Sequence, residues 1–269
     1  MTHYLLFDGI QIMSTALTPT LKAMATFRIY DDLGEEAADV GPILVESDVA
    51  VEAWVADPEP RAPLSYAISR LQSDAPLESL GLHLRAIRYL HLTSYEQHFL
   101  RYADTRVLTS LMQVLSRPQK QGLLGPIQRW TIKDRMGNNV HHEKSQSESV
   151  ELPLKLTSAQ QLELLRLSRP DQLLAEVIAD DSALAEIGSD AERHAWAREA
   201  LEFLEVHRAR SFPYRLAVGS TAVRTSGRAL QDPGFARAVV TSLETGVGAE
   251  SLFTWSPSPV DGLSASQEE

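Results

Sequence analysis

The stretch FLRYADTRVL, residues 99–108, joins a predicted strand to a predicted helix. The helix follows from residues 106–115, whose apolar side chains recur at helical spacing. Asp104 directly precedes this helix, where a carboxylate can accept hydrogen bonds from the first free amides. Arg101 and Arg106 flank the carboxylate and can form a charge-assisted cluster with it. The stretch therefore predicts a strand-to-helix corner, whose role is either purely structural or one in partner binding.

Outward from this corner, short apolar runs alternate with helix-like segments in the first half of the chain. A hairpin is expected from residues 92–95 and 98–102. Ser73-Asp74-Ala75-Pro76 is typical of a helix start, because a capping residue precedes a proline. The other expected strands are Tyr4–Phe7, Thr26–Tyr30, Ile43–Val45 and Ile127–Lys133, and Leu64–Leu71 is either a strand or a mixed segment. The pattern predicts an α/β (α+β) fold, with a mixed sheet and flanking helices in an N-terminal lobe.

The second half of the chain has a different composition. Residues 142–149 are polar and lack periodicity, which indicates a linker. Beyond them, helix starts are expected at Ser158, Ser168, Ser189 and Pro233. The predicted organisation is an N-terminal α/β domain at residues 1–137, a linker at 138–152, a smaller all-helical lobe at 153–245 and a flexible tail at 246–269.

Composition narrows the classes of protein to consider. The 269 residues include no cysteine, which excludes disulfides, thiol nucleophiles and cysteine-based metal sites. No apolar run approaches the roughly 20 residues needed to span a bilayer, and the N-terminus lacks signal-peptide character. The formal net charge of -11 disfavours nucleic-acid binding. A cytoplasmic protein without a membrane span is expected.

The charge is unevenly distributed along the chain. Residues 1–60 contain two Lys or Arg against eleven Asp or Glu, whereas residues 61–135 contain eleven against five. Residues 136–269 return to twelve against twenty. Either acidic and basic elements pack side by side and compensate each other, or the basic middle is a docking surface for an acidic protein partner.

Motifs for catalysis, metal binding and cofactor binding are absent from the sequence. His141-His142-Glu143 is the only His-rich spot, and adjacent residues diverge too far to hold one metal ion together. The sequence contains no G-x-S-x-G, GxGxxG or GxxxxGK[ST] motif. We therefore expect no enzyme activity, no metal and no cofactor. Trp130 is either a core aromatic, the favoured interpretation, or an exposed anchor.

Five blocks of sequence, taken in order, resemble a known family. They are YLLFDG at 4–9, VGPILV at 40–45, SDAPL at 73–77 with HLR at 83–85, FLRYADTRVL at 99–108, and LGPI at 124–127 with Trp130. The chain resembles domain-of-unknown-function family 4123 over about residues 3–135. These proteins are the Tap or Tec adaptor chaperones of bacterial type VI secretion effectors. Thr105 is a departure, because the family usually has proline there.

The resemblance implies a protein that binds a toxic effector in the cytosol and helps place it on the VgrG spike protein, without catalysis. On this basis the expected partner-binding residues are Arg101, Tyr102, Asp104, Arg106, Trp130, Arg85 and Arg88. Two alternatives from other classes stay open. One is an uncharacterised hydrolase-type enzyme, and the other is a regulator that binds an acidic partner or nucleic acid through the basic middle.

Overall fold

The computed structural model describes residues 1–13, 21, 24–56, 66–92, 96–145 and 152–256. The chain divides into two compact units, Met1–Arg166 and Leu167–Glu269. The first unit is built on an antiparallel sheet with flanking helices, and the second is helical. The α+β fold expected from the sequence is thus confirmed.

The first unit contains a six-stranded sheet in the order β2-β3-β1-β4-β7-β8, in which every neighbouring pair is antiparallel. Its central strand β1 is buried on both faces: Tyr4 and Leu6 enter one core, and Leu5 and Phe7 enter another. This double burial explains why β1 reads as one continuous apolar run. The strands are β1 Thr2–Phe7, β2 Thr26–Arg28, β3 Ile43–Glu46, β4 Ile68–Ser73, β7 Ile127–Lys133 and β8 Asn139–Glu143.

A second, three-stranded sheet has the order β6-β5-β9, with β5 at Tyr89–His91, β6 at Gln97–Phe99 and β9 at Leu154–Lys155. β5 pairs antiparallel with β6 and parallel with β9. The expected hairpin is present, but its first arm comes earlier than predicted, and residues 93–95 lie outside the described residues. The second arm ends at Phe99, because Tyr102 turns into the core.

Helices of the first unit cover the sheet and connect its strands. They are α1 Gly9–Ile12, α2 Glu35–Val40, α3 Val49–Ala56, α4 Leu77–Ala86, α5 Thr105–Val114 and α6 Arg117–Leu124, with a 3-10 turn at Asp31–Leu33. In α4, Leu80 and Leu84 face the core. α6 begins with a reciprocal capping box between Ser116 and Gln119, which satisfies two otherwise free backbone donors.

Part of the segment expected as a linker belongs to the first unit. Residues 139–143 form β8, which pairs with β7 along its whole length. β8 lies at the edge of its sheet and alternates between exposed and half-buried positions, so it needs few apolar residues. The boundary between the units falls after Arg166, within α7 at Ser158–Asp180. Residues 146–151 of the expected linker lie outside the described residues.

The second unit contains α8 Asp190–Val206, α9 Phe212–Arg224, α10 Pro233–Thr245 and α11 Glu250–Phe253, with 3-10 turns at Ser182–Glu186 and Arg228–Gln231. The helix starts expected at Ser158 and Ser168 belong to one helix, α7, which contains Pro170. Leu252 of α11 is buried in the core of this unit, although it falls within the expected tail. Residues 257–269 of that tail lie outside the described residues.

Candidate functional site

The corner predicted at residues 101–106 forms a compact charge cluster. Asp104 accepts from the backbone amide of Arg106 at 3.0 Å and so caps α5. The Arg106 guanidinium donates two further bonds to the same carboxylate, at 3.0 and 2.8 Å. Arg101 donates to Asp8 Oδ2 at 3.0 Å and lies 3.9 Å from Asp104 Oδ2. We call Asp8, Arg101, Asp104 and Arg106 the ionic corner.

The ionic corner joins two distant parts of the chain. Asp8 follows the central strand β1 directly and also accepts from Gln11 at 2.8 Å. Its bond from Arg101 spans 93 residues of sequence. The carboxylates of Asp8 and Asp104 are buried, whereas the Arg101 side chain is half exposed. Two buried acids and two arginines thus fix the end of β1 against the start of α5.

Tyr102 and Trp130 lie in the core of the first unit. The hydroxyl of Tyr102 donates to the carbonyl oxygen of Leu84 at 2.8 Å, and burial raises the pKa of Tyr102 well above its usual value. Trp130 Nε1 donates to Ser69 Oγ at 2.9 Å. The two rings meet edge to face, with centroids 6.0 Å apart. Since neither ring has exposed surface, these residues position the corner and have no surface for direct contact with a partner.

Arg85 and Arg88 form a separate cluster with the acidic turn that follows β2. Arg85 is paired with Asp31 and donates to the carbonyl oxygen of Arg28 at 3.1 Å. Arg88 binds both oxygens of Asp32, at 2.5 and 2.7 Å. The hydrogen bond from Arg88 lowers the pKa of Asp32.

These pairs bear on the uneven charge of the sequence. Asp31, Asp32 and Asp8 belong to the acidic residues 1–60, and their partners belong to the basic residues 61–135. Arg70 and Glu52 form another such pair, at 2.7 Å. For these residues the acidic and basic elements pack side by side and compensate each other, as one of the two interpretations predicted.

An apolar groove lies beside the ionic corner, and the sequence did not predict it. Its volume is about 320 Å³. Its lining residues come from four short segments and are mostly apolar: Asp8, Ile10, Tyr30, Leu33, Ala37, Val40, Pro42, Phe99, Arg101 and Ala103. Ile10 and Phe99 are each about half exposed, at 51% and 53%, and Leu33 and Val40 are also exposed. The groove therefore presents large apolar side chains to solvent.

Two glycines allow the walls of this groove to approach each other. A methyl group on Gly9 would overlap the carbonyl oxygen of Gly41, so α1 packs directly against the end of α2. A methyl group on Gly41 would lie 2.7 Å from two ring carbons of Tyr30. Tyr30 in turn contacts Phe99, with ring centroids 5.5 Å apart. Burial and the nearby Asp8 carboxylate raise the pKa of Tyr30 to about 12, so its hydroxyl stays protonated.

The second unit contains a more polar cleft of about 400 Å³. It is lined by Arg169, Leu201, Leu204, Glu205, Ala209, Arg210 and Arg215. Arg169 pairs with Glu205 at 2.7 Å, and Arg215 pairs with Glu176 at 3.0 Å. Two of the three arginines that line this cleft are therefore already paired with carboxylates.

The described residues contain neither a metal-binding cluster nor a helix suited to span a membrane. Within them, no group of three or more His, Asp or Glu side chains is arranged to hold a metal ion. Across the same part of the chain, no helix combines the length and apolarity that crossing a membrane requires.

Comparison with known proteins links the first unit to a family. Residues 3–122 match the family model described as "Domain of unknown function (DUF4123)". This match supports the family named in the resemblance, and it includes the ionic corner and every residue that lines the apolar groove. Trp130 and the second unit lie outside the matched range. No curated protein and no solved structure matches the chain significantly.

Proposed function

We propose that this protein is an adaptor chaperone that binds a toxic effector of the type VI secretion system and helps load it onto the VgrG spike protein. The proposal starts from the resemblance of five sequence blocks, and the family match supports the family part of it. In this role the protein acts in the cytoplasm before the effector is exported, and its partners are the effector and VgrG.

The observation that supports binding of a protein partner is the apolar groove. Exposed apolar patches on otherwise polar surfaces are typical of docking sites. Ile10, Leu33, Val40 and Phe99 together form such a patch, and the partly buried Tyr30 also lines the groove. A groove of about 320 Å³ accommodates a few side chains of a partner segment, not a whole folded domain.

The ionic corner supports the same role by fixing the groove in shape. Asp8 and Arg101 line the groove and are bonded to each other, and Arg101 also approaches Asp104. A binding surface held in place before the partner arrives loses less conformational entropy on binding. We therefore assign the corner a positioning role beside the groove.

The arrangement of arginines favours a protein partner over nucleic acid. Nucleic-acid binding requires clustered basic residues that are free to contact phosphates. Arg85 and Arg88 are instead occupied by Asp31 and Asp32.

Co-expression with a toxin whose gene adjoins that of this chain tests the proposal. The toxin should co-purify with the wild-type chain, and Phe99→Ser should reduce capture, because it removes the most exposed ring of the groove. Leu82→Ser is the matched control, since Leu82 is also half exposed but does not line the groove. If the wild-type chain fails to capture the toxin, the proposed function is wrong.

A further inference from the structure

Among the residues that the structure describes, β6 is an open edge strand of its sheet. All three of its residues, Gln97, His98 and Phe99, are exposed, and in the described chain it pairs only with β5. Proteins usually protect such edges with Lys, Pro, a bulge or a covering side chain. The edge strand β2 follows this rule, because Arg85 donates to the carbonyl oxygen of Arg28. β6 is only three residues long, but within the part of the chain that the structure describes it has none of these features.

The hydrogen-bond pattern shows which backbone groups β6 leaves free. Glu96 accepts from the amide of Leu92, and the amide of Leu100 donates to Arg88, so the bonded pairs fall at even-numbered residues of β6. In an antiparallel pair bonded and non-bonded positions alternate, and the odd-numbered residues therefore direct their N–H and C=O groups away from β5. Gln97 and Phe99 each present one donor and one acceptor to this open edge.

The side-chain directions connect this edge with the apolar groove. Phe99 lines the groove and contacts the rings of Tyr30 and Tyr89, at centroid distances of 5.5 and 4.8 Å. A strand added beside β6 would place the residue opposite Phe99 on the same face of the sheet. That side chain would point towards the groove, where Leu33 and Val40 are exposed.

The charge at the rim of the apolar groove indicates which partner strands fit. Glu36 lies one helical turn before Val40, so it stands on the same side of α2 as this groove residue. It is exposed and has no ion-pair partner among the residues that the structure describes. The arginine of the groove, Arg101, is already bonded to Asp8. The free charge at the rim is therefore negative.

We infer that the partner segment binds as an extended strand added to the open edge of β6, with apolar side chains at alternate positions in the groove and a Lys or Arg facing Glu36. This inference rests on the proposed function for the identity of the partner, since the segment would belong to the effector. The mode of binding rests on the edge, the groove and the charge alone.

The experiment uses a phage-displayed library of random twelve-residue peptides, selected on the full-length chain. Enriched peptides should show alternating apolar residues and a Lys or Arg. Synthetic fluorescent copies are then titrated by anisotropy. Gln97→Pro, which removes an outward N–H without touching the bonds to β5, should raise Kd about ten-fold, as the loss of a backbone hydrogen bond predicts. Gln97→Ala is the matched control and should change Kd less than about two-fold, because it keeps that N–H.

One further arm needs no variant of the chain, and a second tests the charge at the rim. In an added strand, the N–H groups of alternate residues point towards β6. N-methylation of that set of peptide residues should abolish binding to the wild-type chain, and N-methylation of the other set should not. Glu36→Lys should reverse the preference from basic to acidic peptides.

The inference is overturned if no peptide is enriched, if the enriched peptides have helical i, i+3, i+4 spacing, or if neither Gln97→Pro nor N-methylation weakens binding. Enrichment of acidic peptides on the wild-type chain overturns its charge part. The peptide measurement does not involve the toxin, so a failure of toxin capture refutes only the proposed function. A captured toxin that is indifferent to Gln97→Pro refutes only the strand mode.

Discussion

Replacing Asp104 tests whether the ionic corner stabilises the first unit. In Asp104→Ala, α5 loses its N-cap, which costs about 1 kcal/mol. The variant also leaves Arg106 without the carboxylate that accepts two of its bonds. Loss of one partner of a fully buried pair costs about 3–5 kcal/mol, but the Arg106 side chain is 32% exposed and can regain water. We therefore expect about 1–2 kcal/mol from this second effect and about 2–3 kcal/mol in total.

Urea unfolding of the full-length chain, followed by tryptophan fluorescence and far-UV circular dichroism, measures this loss. Asp104→Asn keeps an oxygen that can accept the capping bond, so it should lose about half as much stability. Glu143→Ala is the control, because its pair with Arg129 is exposed and should contribute at most about 1 kcal/mol. The reasoning is refuted if Asp104→Ala loses no more stability than this control.

The same corner allows a test of its two interpretations. Arg106→Ala removes a guanidinium that does not line the groove but is linked to it through Asp104 and Arg101. If toxin capture is unchanged in a folded Arg106→Ala variant, the corner is only structural. If toxin capture falls although the urea midpoint of Arg106→Ala drops no further than that of Glu143→Ala, the corner also contributes to partner binding.

Three further perturbations have defined outcomes. Gly41→Ala should destabilise the first unit by about 1–3 kcal/mol in urea unfolding, because the added methyl group collides with the ring of Tyr30, and a loss no larger than about 0.5 kcal/mol would contradict this. Burial lowers the pKa of His83, so the unfolded chain takes up the proton first as pH falls below about 6.5, and the free energy of unfolding decreases there. His83→Gln should therefore lose less stability than the wild-type chain between about pH 7.5 and 5.5, and an equal loss would refute this. Trp130→Phe should lower the free energy of unfolding by about 1–3 kcal/mol, because Ser69 Oγ loses its buried donor. Adding Ser69→Ala should recover part of this loss in urea unfolding, and no recovery would assign the loss to packing alone.

The elements that the sequence predicted well are those in which local pattern and burial agree. β1 and β3 are short apolar runs, and the helix of residues 105–114 has both an N-cap and one apolar face. α9 was not predicted, because residues 217–223 are all buried and include Gly219, Ser220 and Thr221. A helix buried on all sides has no polar face, and so it lacks the periodicity from which helices are inferred.

β8 was missed for the opposite reason. It is an edge strand with polar residues, and only its pairing with β7 makes it a strand. The continuous helix through Pro170 was missed because a proline after Ser168 and Arg169 is locally typical of a new helix start. In both cases the local sequence is compatible with two structures, and contacts distant in sequence decide between them.

For the candidate site, local sequence was sufficient for the cap and the Asp104–Arg106 pair, which lie two residues apart. It was insufficient for the groove, because Ile10, Leu33, Val40 and Phe99 come from separate short segments. Each is an isolated apolar residue near a turn, and isolated exposed apolar residues are common. Their grouping is visible only once the fold brings Asp8 next to Arg101.

The separation of the groove segments also sets when this site can exist during synthesis of the chain. One wall is complete once residues 8–42 have folded, but the other requires residues 99–103. Closing a contact across 93 residues is entropically costly, and it is retained only after the strands between have paired. A nascent chain that has not yet released Phe99 and Arg101 from the ribosome therefore has no groove. The groove can form only once the chain up to Ala103 has emerged and the strands between its two walls have paired, so binding through it cannot begin before that point of translation.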